Sequence, residues 1–274
     1  MSKIIDDLAD PTLLEALASN FAEEMACFGR SLPGAELHED PELAWFITGP
    51  SRPNGVLQTH FAHTDRAYID GRIRSTIDHF KARQIESMGW RVTPTASPPD
   101  LATYLQAHGF KHRAATDCMV LEISHLHEDI PVLGGLVITE VENEEMMQVK
   151  RTIEQRGFGA SAQVAQDYYD VYMHSGFGAG TPWHHYIAWL HGAPVAMSSL
   201  LLHAGLAGIY GVATVPEARR QGIGAAITLH TVHEAARLGY HIATLSPTEM
   251  SLAIYRRIGF KEHCQIHHYA LELK

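Results

Sequence analysis

The sequence contains two similar stretches, LATYLQAHGFKH at residues 101–112 and LAIYRRIGFKEH at residues 252–263. Each combines a helix-forming segment, a Gly-Phe pair and a basic end. Each is followed by a segment of alternating polarity, at residues 117–123 and 267–273 respectively. The pattern predicts helix, break and strand in both copies. An internal repeat of this length predicts two related domains.

The joint between the two domains is predicted in SHLHEDIPVLGG, residues 124–135, which is polar and contains Pro131 and two glycines. We therefore expect domains at residues 1–130 and 131–274. The second half reads as strand, two helices, three strands, helix, strand, helix and two closing strands. The first half contains matching helices and strands.

Composition places the chain among ordinary globular proteins, with 46% hydrophobic and 19% charged residues. No apolar run approaches the roughly 18 residues of a membrane span. The N-terminus lacks the apolar stretch of a signal peptide, so we expect a cytoplasmic protein without membrane contact. The three cysteines lie far apart, which argues against a disulfide framework and a cysteine-built zinc site.

The formal net charge of −10 lies mostly in the first half of the chain. It disfavours nucleic acid and favours cationic partners, although solubility is the simpler explanation. The 19 histidines include adjacent pairs at 184–185 and 267–268, but they form no helical metal motif. We expect no bound metal ion.

The segment ARRQGIGAAI, residues 218–227, follows a strand and opens a helix with two glycines. The first amides of a helix have no partner within it, and the helix dipole is positive there. With Arg219 and Arg220, this end suits a phosphate or pyrophosphate. Ile227 stands where a dinucleotide-binding loop has its third glycine, and G-K-[S/T] is absent. A purely structural capping loop is the alternative.

Residues 211–227, GVATVPEARRQGIGAAI, resemble the acetyl-CoA loop of the GCN5-related N-acetyltransferase (GNAT) superfamily. Its pattern, [Q/R]-x-x-G-x-[G/A], is met by Arg219, Gly222 and Gly224. Residues 251–260, SLAIYRRIGF, closely match the family's second signature, A-x-x-L-Y-x-x-x-G-F. The resemblance is clear over residues 136–274. Residues 11–123 resemble a degenerate copy, which lacks the Gly-x-Gly and has Leu105 at the position of the tyrosine.

The resemblance implies an α/β (α+β) fold of two GNAT-like lobes, each a central, mostly antiparallel sheet flanked by helices. It implies acetyl-CoA as co-substrate, held in a splayed strand pair between Thr214 and Ser246. The pantetheine arm would pair with the backbone of Val212, Ala213 and Thr214. The implied pyrophosphate site comprises Arg219, Arg220, Gln221, Gly222, Ile223, Gly224 and Ala225. Thr248 replaces a frequent asparagine as a further cofactor contact.

Tyr255 takes the position of the family's general acid, which protonates the leaving thiolate. A tyrosine pKa near 10 suits this role, and a packed aromatic is the alternative. Backbone donors near Thr214 would polarise the thioester carbonyl. Candidates for the base are Glu249 and, through water, the hydroxyls of Ser198 and Ser199. Each of these three has a structural role as its alternative.

Acceptor contacts are expected on one helix and the segment after it: Asp167, Tyr168, Asp170, Tyr172 and Trp183. Carboxylates beside aromatic rings suit a small cationic amine. An aminosugar, such as an aminoglycoside antibiotic that the enzyme would inactivate, is the specific hypothesis. A solvated helix face is the alternative for these residues.

Other acceptors, namely a polyamine, an amino acid or a protein amine, stay open at this point. So does a non-catalytic acyl-CoA-binding regulatory module. The sequence leaves the acyl chain length undetermined, and it does not decide between a monomer and a homodimer.

Overall fold

Strands and helices alternate along the computed structural model, which describes residues 3–50, 52–129, 133–178 and 180–273. The α-helices are α1 Leu13–Ser31, α2 Arg66–Ala82, α3 Leu101–Ala107, α4 Glu144–Phe158, α5 Ala162–Ser175, α6 Ile223–Arg237 and α7 Leu252–Ile258. The strands are β1 Glu36–Glu39, β2 Leu43–Ile47, β3 Gly55–Thr59, β4 Ser87–Val92, β5 Lys111–Glu122, β6 Leu136–Glu140, β7 Trp183–Leu190, β8 Ala193–His203, β9 Leu206–Thr214, β10 Ile242–Leu245 and β11 Lys261–Glu272.

The chain forms two compact units, and neither is a single continuous segment. Unit I comprises the described residues up to Asn20 together with Cys118–His263. Unit II comprises Phe21–Asp117 and the described residues from Cys264 onward. The sequence-based division at 130/131 lies outside the described residues. The units differ from that division at three places. Residues 3–20 belong to unit I with most of the second half of the chain, residues 264–273 belong to unit II with most of the first half, and residues 118–129 belong to unit I.

The sheet of unit I has the strand order β5-β10-β9-β8-β7-β6. Its neighbouring strands are antiparallel except β9 and β10, which are parallel. Successive side chains on β8 point to opposite faces. Ser198 meets Thr231 of α6 at 2.6 Å, whereas Ser199 meets His185 of β7 at 2.9 Å. The α6 face and the Ser199 face are therefore opposite sides of the sheet.

Asn20 ties the start of the chain to the β8–β9 hairpin within unit I. Its amide nitrogen donates to the carbonyls of His203 (2.9 Å) and Leu206 (3.4 Å). Its carbonyl oxygen accepts from the Tyr210 hydroxyl at 2.8 Å. A Cβ at Gly208 would lie 2.2 Å from the same oxygen, so only glycine fits beside it. These long-range contacts explain why residues 3–20 belong to unit I.

Unit II repeats the strand–helix arrangement around its own core. Its strands run in the order β1-β2-β3-β4-β11, with a parallel pair formed by β3 and β4. The core packs Trp45, Trp90 and Phe80 with apolar residues of α2 and α3. Strand β11 contributes Tyr269 to this core. Leu273, which directly follows the strand, also packs there.

The expected α/β fold class with two GNAT-like lobes is confirmed. Two closing strands were expected at the C-terminus, and this expectation was wrong. A single strand, β11, spans Lys261–Glu272, because nothing in that segment interrupts the extended backbone. The short strand β1 was not anticipated. Among the described residues, no helix has the length and apolarity required to cross a bilayer.

Replacing Asn20 with alanine should destabilise unit I. The change removes the amide donor to the His203 and Leu206 carbonyls and the 2.8 Å acceptor of the Tyr210 hydroxyl, which keeps its 3.2 Å contact with the carbonyl of residue 20. The expected loss is about 1–3 kcal/mol. Urea denaturation followed by circular dichroism measures it. Ser19→Ala is the matched control, since Ser19 makes one partly buried contact to His203. Equal stability of the two variants would contradict the anchoring role of Asn20.

Candidate active site

An open strand edge lies at the centre of unit I. The strands β9 and β10 are paired only at Ala207/Ala243 and Gly208/Thr244. Beyond Gly208, β9 continues to Thr214, and no described strand pairs with its β10-facing edge. The expected splay between Thr214 and Ser246 is therefore present as an open edge. Such an edge can accept an extended ligand as an added strand.

A β-bulge interrupts the other edge of β9. The register shifts between Met197 and Ser199 of β8, where Tyr210 pairs with Ser199 and Ala213 with Met197. Two residues of β9, Gly211 and Val212, thus face one residue of β8. Gly211 has φ +58°. Backbone donors were expected near Thr214, but the break in the ladder lies at residues 211–212, since Thr214 is already paired with Ala196.

The loop after β9 leads into α6 and exposes the backbone of its first turn. Gly222 is the N-cap residue, with φ +82° and no side-chain cap. The Ala226 amide donates to the Gly222 carbonyl at 3.0 Å and begins the helical ladder. The preceding amides of Ile223, Gly224 and Ala225 are the unpaired donors of a helix N-terminus. An anion fits there.

The two glycines leave space beside these amides. A Cβ at Gly222 would meet no atom within 4 Å. A Cβ at Gly224 would lie 3.7 Å from the Thr214 hydroxyl, which is ordinary contact. The protein itself therefore does not require glycine at residue 224. A ligand that lies against the backbone there would require a small residue, and the loop pattern has glycine or alanine at this position.

The two arginines of the loop have different surroundings. Arg219 donates from Nε to the Thr214 carbonyl at 3.1 Å and from a terminal nitrogen to the Gly157 carbonyl at 2.7 Å. It therefore ties the loop to β9 and to the end of α4. Arg220 is exposed, with φ +61°. Within the described residues, its side chain makes no hydrogen bond or ion pair, so it is the cation available to a phosphate.

Tyr255 lies on α7 in the same apolar cluster as Ala225 of the loop helix, and Val212 of β9 packs against that cluster. Burial raises the pKa of Tyr255 to about 12, and hydrogen bonds with Ser251 and Thr228 offset only part of this effect. Thr228 also donates to the Gly224 carbonyl at 2.8 Å. Tyr255 thus contacts the glycine loop through Thr228. The pKa lies above the value near 10 expected from the sequence.

Thr248 and Glu249 lie in the exposed turn before α7. The Thr248 amide donates to the Ser251 hydroxyl at 2.9 Å, and the two hydroxyls are 3.0 Å apart. Thr248 therefore makes a local cap. No contact within the described residues links Glu249 to β9 or to Tyr255.

The expected acceptor residues divide into exposed and buried groups. Tyr168 and Asp170 on α5 are partly exposed, and Asp170 accepts from Gln166 at 2.7 Å. Asp167, Tyr172 and Trp183 are buried. Tyr172 and Trp183 pack together with ring centroids 5.2 Å apart. Only the first two residues are accessible to a ligand in this structure.

A buried polar group lies on the Ser199 face of the sheet, and sequence reasoning missed most of it. Lys150 of α4 is fully buried, 3.4 Å from the Glu154 carboxylate and 4.2 Å from the centre of the Tyr172 ring. Burial lowers the pKa of Lys150, and Glu154 opposes that shift. His185 of β7 lies 4.2 Å from the same ring, centre to centre.

The two histidines 184 and 185 separate onto opposite faces of β7. His184 contacts Glu140 at 2.7 Å, whereas His185 contacts Ser199. From the sequence, the pair formed no metal motif, and it lay in the segment after the acceptor helix without a role for either histidine. Their position on an alternating strand was the signal that could have identified His185. The described residues hold no cluster of three or more candidate metal ligands.

Helix α2 is the counterpart of α6 in unit II, but the N-terminus of α2 is already capped by a side chain. Asp65 is the N-cap residue, and its carboxylate accepts from the Tyr68 amide at 3.0 Å. A carboxylate held at this position satisfies a free amide and repels an incoming anion. The counterpart of Tyr255, Leu105, is fully buried in the core of unit II.

The strand edge of unit II is also closed. The strand β3 pairs with β4 at Gly55/Gly89 and Val56/Trp90. Beyond that point, the Ser97 amide donates to the Thr59 carbonyl and the Phe61 amide to the Ser97 carbonyl, each at 3.0 Å. The segment around Ser97 thereby occupies the edge that is open in unit I.

Comparison with known families and structures gives a consistent result. Residues 181–262 match the family model described as "Acetyltransferase (GNAT) domain". A search of curated proteins finds no significant match to the sequence.

Three solved structures share the fold over most of the chain. A GCN5-related N-acetyltransferase from Kribbella flavida is 20% identical with a TM-score of 0.70, covering 92% of this chain and 93% of that one. A tandem GNAT protein from the clavulanic acid biosynthesis pathway is 14% identical with a TM-score of 0.66, covering 99% and 98%. A GCN5-related glucosamine N-acetyltransferase region of a fungal multi-domain β-N-acetylglucosaminidase is 12% identical with a TM-score of 0.64, covering 97% and 38%.

Replacing Gly224 with glutamate should separate folding from ligand binding. Glutamate is more favourable than glycine in a helix by about 0.5 kcal/mol and is favoured near a helix N-terminus, and a Cβ fits the protein at this position. The melting temperature should not fall, whereas the added bulk and negative charge should lower the affinity for acetyl-CoA, the ligand that the resemblance implies, at least tenfold. Calorimetry measures both.

Gly71→Glu is the control, since Gly71 lies in α2 with no atom within 4 Å of a Cβ. It should leave the binding of acetyl-CoA unchanged. Unchanged acetyl-CoA affinity in Gly224→Glu would contradict the assignment of the glycine loop.

Proposed function

Residues 181–262 form an acetyltransferase (GNAT) domain, and from this premise we propose that the protein transfers an acetyl group from acetyl-CoA to a primary amine of a small, cationic acceptor. The observation that carries the proposal is the combination of the open β9 edge with the unpaired amides of α6. The first suits the extended pantetheine arm, and the second suits the pyrophosphate. Both lie in unit I.

In the proposed reaction, acetyl-CoA is a substrate that lies along Val212–Thr214 and against Ile223–Ala225. The bulge at Gly211 and Val212 supplies backbone donors to the thioester carbonyl. The amine nitrogen attacks the carbonyl carbon, and the carbon–sulfur bond breaks. Tyr255 donates its proton to the leaving sulfur. Arg220 adds positive charge beside the phosphates, and Arg219 holds the loop in place through Thr214 and Gly157.

Unit II does not bind acetyl-CoA in this proposal. The Asp65 carboxylate and the Ser97 segment occupy the two places that a cofactor would need. Leu105 cannot act as an acid.

The acceptor is proposed as an aminosugar, of which an aminoglycoside antibiotic is one example. Support comes from Asp170 and Tyr168 on α5, which are both partly exposed, and from the acidic net charge of −10. The two-lobed fold is compatible with such an acceptor, since one solved structure with this fold is described as a glucosamine N-acetyltransferase region. Polyamines, amino acids and protein amines are the other classes to be tested.

The proposal is tested by incubating the purified protein with acetyl-CoA and a panel of amines while free thiol is measured. The panel contains glucosamine, aminoglycosides, polyamines, amino acids and a lysine peptide. Thiol release with an aminosugar alone supports the whole proposal. Release with another class supports the transfer and overturns the acceptor. Binding of acetyl-CoA without release in any mixture favours a regulatory acyl-CoA-binding module.

One acetyl-CoA molecule should bind per chain. Titration calorimetry measures this stoichiometry without any acceptor. Arg220→Ala should weaken binding several-fold by removing charge at the phosphates. A stoichiometry of two would show that unit II also binds and would contradict its proposed role.

Tyr255→Phe should lower kcat roughly 100-fold or more, the usual effect of removing a general acid. The affinity for acetyl-CoA should change little, because the ring is retained. Tyr240→Phe, beyond the opposite end of α6, is the control and should match the wild type. A kcat of Tyr255→Phe within threefold of the wild type would identify Tyr255 as a packing residue.

The pH dependence follows from the raised pKa of about 12 at Tyr255. The group loses its proton only as the pH rises through that value, so the acid form persists throughout the physiological range. We expect kcat to rise with pH as the acceptor amine loses its proton, and to show no decline up to pH 10. A decline centred below pH 9, absent in Tyr255→Phe, would contradict an acid held at this pKa.

A further inference from the structure

We propose that Ser199 and His185 form a proton relay for the acetyl transfer. This inference rests on the proposed function. The relay takes the proton that the acceptor nitrogen must release after it has bonded to the thioester carbon. The relay acts as the general base, for which the sequence offered three candidates, Glu249, Ser198 and Ser199. His185 was not among those candidates.

The first observation is a short contact between two fully buried groups. Ser199 and His185 are cross-strand partners on β8 and β7. The Ser199 hydroxyl lies 2.9 Å from Nδ1 of His185, and the two residues are 0% and 1% exposed. If Ser199 donates to Nδ1, the neutral ring carries its hydrogen on Nε2. Nδ1 then has a lone pair aimed at the serine proton.

The second observation places this pair at the bulge. A Cβ at Gly211 would lie 3.8 Å from the Ser199 hydroxyl. The Met197 side chain would lie 3.7 Å from the same point, so the Ser199 hydroxyl lies beside Met197 behind the partly exposed backbone of the bulge. In the proposed function, the thioester carbonyl and the attacking nitrogen meet at this bulge. The proposal places one water molecule between the reacting nitrogen and the Ser199 hydroxyl.

The third observation is a buried ring nitrogen without a partner. Within the described residues, Nε2 of His185 makes no hydrogen bond. Leaving such a group unpaired is unfavourable unless it serves another purpose. The Tyr172 ring lies 4.2 Å from the imidazole, centre to centre, and can stabilise a transient imidazolium.

The charged groups around His185 keep it neutral at rest. Burial lowers the pKa of His185 well below its ordinary value, and Lys150 and His184 lower it further. Glu154 pairs with Lys150 on α4. Tyr172 faces the ring from α5. The ring is consequently available as a proton acceptor throughout the physiological pH range.

A weakly basic histidine suits a proton that leaves late. The neutral amine attacks the carbonyl carbon, and its nitrogen becomes much more acidic once that bond has formed. Its proton passes through the water molecule to the Ser199 oxygen while the serine proton passes to Nδ1 of His185. The sulfur leaves with its electron pair and takes the proton of Tyr255. The His185 proton then returns through Ser199 to water at the bulge, and Tyr255 regains a proton from solvent, which restores the resting state.

The relay is tested with Ser199→Ala and His185→Asn in the thiol-release assay. Asparagine can keep a hydrogen bond to Ser199 but cannot accept a proton. Both variants should lower kcat about 100-fold, the usual contribution of a general base. Acetyl-CoA affinity should stay close to that of the wild type. Ser199→Ala leaves Nδ1 of His185 without its partner and should lower the melting temperature by several degrees, so kcat is compared at a temperature at which every variant is folded. Ser198→Ala is the control, since its hydroxyl faces Thr231 on the opposite side of the sheet.

The pH profile distinguishes a relay from a structural contact. Without the relay, hydroxide must remove the proton, so kcat of both variants should rise about tenfold per pH unit between pH 7 and 9. The wild type should rise only until the acceptor amine has lost its proton and should then level off, while the variants continue to rise. A structural role would lower kcat by the same factor at every pH.

A wild-type protein that is active while both variants stay within threefold of it would overturn the relay alone. Parallel pH profiles of variant and wild type would also overturn it. A wild-type protein inactive with every amine would overturn the proposed function, and the relay with it. A 100-fold loss with the steeper pH profile is the result that supports the relay.

Discussion

The strands β9 and β10 share hydrogen bonds at only two positions, and the site depends on what this leaves unpaired. An unpaired strand edge inside a domain is unfavourable unless a ligand or another segment covers it. In unit I, the open edge of residues 209–214 leads through a short loop to the unpaired amides of α6. The edge and the helix end are two sets of free backbone groups, joined by a loop whose Val215, Ala218 and Arg219 amides are already hydrogen-bonded. Together the two sets suit a long ligand with an anionic group at one end.

The two units show how the same architecture can keep or lose such a site. In unit II, the Ser97 segment covers the corresponding edge, and the Asp65 carboxylate caps the corresponding helix. Both features satisfy backbone groups that a ligand would otherwise satisfy, so these two places in unit II do not need a ligand. Unit I instead has glycines at residues 222 and 224, where the fold leaves room for a Cβ. Small residues beside unpaired amides leave the space that a bound phosphate group needs.

Much of the fold was predictable because local signals agree with the tertiary structure. The Gly-x-Gly at the start of α6 and the Gly-Phe pair after α7 are local features, and both elements lie close to the expected positions. The exchange of chain ends was not predictable, because it depends on long-range contacts such as those of Asn20 with Tyr210. The bulge at Gly211 was missed because register is set by pairing between strands.

The chemistry of the site was only partly predictable from the sequence, because it too depends on contacts between distant residues. Arg219 was expected at the phosphates, but the sequence could not show that Thr214 and Gly157 lie within its reach. Tyr172 and Trp183 looked like acceptor contacts, yet they pack around the buried Lys150 and His185. The raised pKa of Tyr255 is caused by burial, which only the folded structure reveals.

Hydrogen exchange of the backbone amides, measured with and without acetyl-CoA, tests the central claim most directly. The account predicts slower exchange in residues 209–214 and 221–225, where the ligand would pair with free backbone groups. Residues 57–61 and 65–68 of unit II should exchange at unchanged rates. Protection confined to unit II, or no protection at the β9 edge in the presence of saturating acetyl-CoA, would contradict it.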